Sequence, residues 1–176
     1  GVFGSAGAGS LAIAKRAGAI LYADDLTLAE YASLEWRIES VWTQVIGDWL
    51  LEDNLIDEEQ FSDVTLALMS LGYHFTWIRA EIVRTAAYRS NWDSSNWPLN
   101  IVLEYLSRDG LELESLYPIV AQSLRLLWYS DVDRDQRERV ILNILQRVRR
   151  QPGGPMFLSK LSQDLARIFG LDVVGH

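Results

Sequence analysis

Two adjacent carboxylates, Asp24 and Asp25, close the apolar run Ala19-Ile20-Leu21-Tyr22-Ala23. Continuous apolarity over so short a stretch predicts a strand covered on both faces, as in a parallel sheet. In open parallel sheets ligands gather beyond the carboxyl ends of the strands. Paired acids at that edge suit a hard divalent cation, Mg²⁺ or Mn²⁺, held through oxygen ligands. The same residues also suit a plainer task, because Asp readily accepts from the free N–H groups of a helix starting near Leu26 or Thr27. Both readings single out Asp24 and Asp25, as catalytic metal ligands in one and as a helix cap in the other.

The elements that would carry this pair follow from the pattern around it. Residues 9–17 read as the end of a helix, with Leu11, Ile13 and Ala14 apolar and Gly18 suited to a left-handed stop. A helical pattern returns over 26–34, and Ser40-Val41-Trp42 is a second strand candidate. Thr43 is placed to cap the next helix, whose apolar face is Val45, Ile46, Trp49 and Leu50. Asp57-Glu58-Glu59-Gln60 spells a capping box with acids at the positive end of the helix dipole. Phe61, Val64, Leu68 and Leu71 form the expected buried stripe, Gly72 ends the helix, and Tyr73 to Ile78 alternates as a third strand. Residues 1–90 thus predict an α/β layer with about three parallel strands.

Beyond Ser90 the pattern changes. After the polar connection Ser90 to Asn96, residues 91–176 predict an all-α lobe of four amphipathic helices, at about 98–107, 115–129, 134–150 and 156–169. The 176 residues carry a net charge of −8, and residues 1–91 hold 6 Lys/Arg against 13 Asp/Glu, whereas 92–176 hold 10 against 11. Such acidity argues against nucleic-acid wrapping by bulk charge. The absence of cysteine removes disulfides, thiolate catalysis and Cys-ligated metals, and two histidines are too few for a His cage. No apolar run reaches membrane-spanning length and no signal peptide is present, so a cytoplasmic protein is expected. The opening Gly1-Val2-Phe3, without methionine, is expected of a fragment or processed product.

The run from Ala17 through Asp24-Asp25-Leu26-Thr27 to Ala32 resembles the late acidic motif of PIN-domain ribonucleases. The order continues with Ser40-Val41-Trp42-Thr43-Gln44 and Gly72-Tyr73-His74-Phe75, and it looks like the C-terminal PIN-like region attached to large bacterial proteins with helical repeats. The resemblance covers roughly residues 9–90. It implies part of a three-layer fold and hydrolysis of RNA phosphodiesters by a cluster of acids around Mg²⁺ or Mn²⁺. Asp24 and Asp25 would be the ligands, with Thr43 and Gln44 behind them or capping the helix. The family's first Asp would precede Gly1, and its middle acid would fall near Ser10, where Gly7-Ala8-Gly9-Ser10-Leu11 has no carboxylate. The alternative is therefore a non-catalytic interaction module on a degenerate PIN-like fold. Its helical lobe would dock on another protein or on the rest of a parent chain, with a homodimer as a further possibility.

Other features invite chemistry less strongly. Gly4 to Gly9 reads as a flexible terminus or, as a competing idea, a dinucleotide turn with Gly7 and Gly9 near a pyrophosphate and Asp24 on a ribose. Arg139, Asn143, Gln146, Arg147 and Arg150 make one side of a helix, a phosphate-contacting or simply solvated face. The seven tryptophans suit base stacking or packing; Trp49 and Trp77 read as core, and Trp92 and Trp97 as pins for the helical lobe. His74 reads as structural.

Overall fold

A computed structural model describes residues 4–73, 77–108 and 111–168. The chain divides into two compact units, Gly1–Thr76 and Trp77–His176. The charge division is sharper at this boundary: 3 Lys/Arg against 12 Asp/Glu in the first unit, 13 against 12 in the second.

The first unit runs α1 (Gly4–Ala17), β1 (Leu21–Tyr22), α2 (Leu26–Trp36), β2 (Ser40–Val41), α3 (Thr43–Glu52) and α4 (Glu58–Ser70). Its strands pair in parallel, Leu21 opposite Ser40 and Tyr22 opposite Val41, with α2 as the crossover. Leu21 and Ala23 donate their N–H groups to Glu39 and Val41 at 2.8 and 2.9 Å. Gly18, at φ +61°, turns the chain out of α1 into β1, and Gly72, at φ +77°, follows α4, both as the helix stops required. Arg37 adopts the left-handed conformation at φ 53° to end α2, its N–H bonding Ala32 and Ser33 carbonyls, and so turns Ile38 into the core. That core comprises Leu11, Ala14, Leu21, Ala23, Ala32 and Ile38, with Leu28 and Trp36 packed against it.

Four expectations are revised in this unit. The glycine run is helical, with Gly7 and Gly9 inside α1, because the alternating alanines favour the helix enough to offset glycine entropy. It therefore forms neither a phosphate-binding turn nor a loose terminus over residues 4–9. The buried face of α4 is Phe61, Ser62, Thr65, Leu66, Leu68 and Met69, whereas Val64 and Leu71 are exposed. Trp49 is half exposed, while the smaller Gly47 faces the fully buried Phe61 ring, where an added Cβ would lie 3.3 Å from the ring edge. Of the third strand, residues 74–76 lie outside the described residues, and Tyr73, Trp77 and Ile78 are not in a strand. The sheet has two strands among the described residues.

The second unit comprises α5 (Ala80–Arg89), α6 (Leu99–Tyr105), α7 (Leu113–Trp128), α8 (Arg134–Arg150) and α9 (Gly154–Ile168). No element is predicted from sequence for α5, which packs on α6 and α7 through the buried Ile82, Val83, Ala86 and Ala87. Helix α7, with Leu116, Val120, Leu124 and Leu127 buried, packs on α8 and α9 as well as on α5, and the buried residues of α8 and α9 include Val140, Ile144 and Val148, and Phe157 and Leu161. Asp133 caps α8 by accepting from Asp135 and Gln136 N–H groups. Gln151, buried after α8, donates its amide to the carbonyls of Leu106 and Arg108. No helix among the described residues is long and apolar enough to cross a membrane.

Candidate functional site

The carboxylate pair sits where the strand pattern predicts, at the carboxyl end of β1. The two side chains serve different helices. Asp25 is the N-cap of α2, in extended conformation, and its Oδ1 accepts from the Leu28 N–H at 3.2 Å. Asp24 reaches across to α3. Its Oδ1 accepts from the Thr43 N–H at 2.8 Å, and its Oδ2 accepts from the Thr43 hydroxyl at 2.8 Å and the Tyr22 hydroxyl at 2.7 Å.

Thr43 itself is not the cap. The N-cap of α3 is Trp42, which offers no side-chain acceptor, and Thr43 is the first helical residue. The indole cannot accept a hydrogen bond, so the start of α3 takes its acceptor from the end of the neighbouring strand. Tyr22 and Thr43 hydroxyls also approach each other at 2.6 Å, so two hydroxyl protons are shared among three oxygens. Burial pushes the Asp24 carboxyl up, yet the Thr43 N–H and the two hydroxyl donors outweigh it and hold the group below the usual aspartate value. For Tyr22, the Thr43 hydrogen bond pulls its phenol down, but the bond to Asp24, burial and the Asp24 charge together raise it.

Thr43 thus meets Asp24 as a hydrogen-bond donor at the first turn of α3 and not as its cap. Gln44, one turn position further, is buried at 1% exposure within α3. Tyr22 is the participant the motif did not flag; its position two residues before Asp24 puts both on one side of an extended segment. Among the described residues no three Asp, Glu, His or Cys side chains converge to hold a metal ion. Two carboxylates already committed to N–H and O–H donors do not make the cluster of oxygen ligands that Mg²⁺ or Mn²⁺ requires. The arrangement can hold two helix starts against a strand; the donors present favour an ionised Asp24 that accepts hydrogen bonds.

The helical unit carries an apolar groove of about 680 Å³ whose walls include Leu124, Trp128, Ile141, Leu145, Leu158 and Leu165. Arg137 stacks over Trp128 at 4.9 Å beside it and donates to the Trp128 carbonyl at 2.8 Å. On the basic side of α8, Asn143 and Arg147 donate to Ser94 and Ser107 at 3.1 Å each, so part of that face tethers neighbouring segments. Trp92 is buried with its ring edge-on to Tyr88, whereas Trp97 is half exposed. His74 and His176 lie outside the described residues. No family model, curated protein or solved structure matches the chain.

Proposed function

We propose that the chain is a non-catalytic interaction module of the cytoplasm, built on a degenerate PIN-like fold whose acidic pair has become a structural junction. The observation that carries this reading is the occupation of both Asp24 oxygens by Thr43 and Tyr22 donors. Part-buried acceptors already matched to protein donors gain little from a cation that would displace those bonds. The apolar groove of the helical unit supports the second half of the reading. Its partner is an apolar segment of another protein, for which a concave wall of Leu, Ile and Trp is the suitable surface.

The rival reading is a divalent-metal-dependent ribonuclease site completed by acids from outside the chain. It draws support from the parallel pairing and from the position of Asp24 and Asp25 beyond the end of β1. Thermal denaturation during Mn²⁺ titration separates the two. Preferential binding to the native state raises the melting temperature. The interaction-module reading expects no Mn²⁺-dependent shift in the wild type. A shift that disappears in the Asp24→Asn/Asp25→Asn variant would overturn it in favour of a metal site.

A further inference from the structure

Helices α5 and α7 pack against each other, and each ends in the same Arg-x-x-x-Tyr spacing: Arg84 with Tyr88, and Arg125 with Tyr129. Residues four apart share a helix face, so each helix presents a guanidinium and a phenol together. The intervening Ala86, Ala87 and Leu127 are fully buried and point into the core. All four side chains line one cleft of about 660 Å³, together with Gln122 and Asp131. That volume falls in the usual range for a small-molecule site, about 300 to 1,000 Å³.

Arg84 and Arg125 have no ion-pair or hydrogen-bond partner among the described residues. Elsewhere in the unit arginines are engaged: Arg134 with Glu138 at 2.6 Å, Arg147 with Ser107 at 3.1 Å, and Arg167 with Asp164 at 3.5 Å. Asp131 lines the same cleft without bonding either guanidinium. Gln122 is held by its amide to Glu81 at 3.0 Å. Tyr88 is half exposed, and its ring is fixed by an edge-on contact with Trp92, 5.3 Å between centroids at 73°. The Tyr88 ring thus lines the cleft while packed on Trp92.

We infer that this cleft binds a nucleoside monophosphate. The two guanidinium forks take the phosphate dianion, for which their paired N–H donors are shaped. The Tyr88 face stacks the base. Asp131 accepts from the ribose hydroxyls, the role an acidic side chain plays where a nucleotide is read by its sugar. Each group has the polarity its ligand portion needs, and the site is independent of the reading of Asp24.

The test is calorimetric titration of the full chain with AMP, with inorganic phosphate and adenosine titrated separately. AMP is expected to bind with Kd of about 1 mM or tighter, and phosphate and adenosine each more weakly. The variant Arg84→Ala/Arg125→Ala, altered at two exposed positions, should retain its melting temperature and lose about tenfold or more in AMP affinity. Arg149→Ala/Arg150→Ala, which removes the same charge from the end of α8, should leave binding unchanged. Absence of AMP binding at about 10 mM would overturn the assignment. So would equal losses in the two double variants, which would report bulk charge alone, or phosphate binding as tightly as AMP, which would report a bare anion site.

Discussion

Replacing Asp24 tests the junction directly. In Asp24→Ala the Thr43 N–H at the start of α3 loses its acceptor, a capping loss of about 1 kcal/mol. The Tyr22 and Thr43 hydroxyls lose their shared acceptor as well, but they keep each other at 2.6 Å, so the further cost is about 1 kcal/mol. The expected total of about 2 kcal/mol corresponds to roughly 30-fold faster amide exchange where the first unit opens. Hydrogen exchange by mass spectrometry should place that change in α3 and β1, with protection in α7 and α8 unaltered. Asp24→Asn keeps one carbonyl acceptor and should cost about half as much. The sign follows from the depressed carboxyl pKa. Asp24 is held below its usual value in the folded state, so its contribution is complete above the unfolded pKa and disappears as pH falls through the folded one. The gap between wild type and Asp24→Asn should therefore narrow below about pH 4. A poised metal site behaves oppositely, because neutralising one of two adjacent carboxylates relieves their repulsion. A higher melting temperature for metal-free Asp24→Asn than for the wild type would refute the reasoning.

Three further outcomes follow from the same geometry. Asp25→Ala should lower stability by about 1 kcal/mol or less, measured by urea denaturation, since it removes a single N-cap acceptor at the start of α2. Gly154→Ala should destabilise the helical unit by more than about 2 kcal/mol, because its Cβ would collide with the Val148 and Arg149 carbonyl groups at the start of α9. Spectrophotometric titration should find Tyr117 among the late tyrosines: its hydroxyl donates to Asp164, which pushes its phenol up to about 12, and Asp164→Asn should return it toward the ordinary value. With the folded pKa raised, that bond contributes fully below the unfolded phenol pKa and is lost as pH rises through about 12.

The helix starts and stops were legible wherever a local group decides them. Asp57 and Gln60 do form the capping box, each side chain bonding the other residue's N–H at 2.8 and 3.0 Å. Gly18 and Gly72 occupy positive φ as their positions imply, and α8 spans the predicted 134–150. Burial on α3 and α4 was less legible. A stripe of apolar letters at helical spacing did not name the packed face, because Gly47 lets the Phe61 ring sit close and the buried side of α4 includes the small polar residues Ser62 and Thr65.

From the residues alone, then, follow the parallel-type strand ending in Asp24-Asp25, the capping chemistry available to both, and a helix-rich second half with nearly balanced charge. What each carboxylate does is settled in three dimensions. Asp25 finds its donor three residues away, within reach of any sequence argument, whereas Asp24 finds donors nineteen residues on, at a helix whose own N-cap is an indole that cannot accept. The sharing of one cleft by Arg84 and Arg125 has the same character, since α5 and α7 become neighbours only through packing. Local hydrogen bonds are written in short spacings; a partner brought in by the fold is visible only once the backbone groups left unpaired at each helix end have been counted.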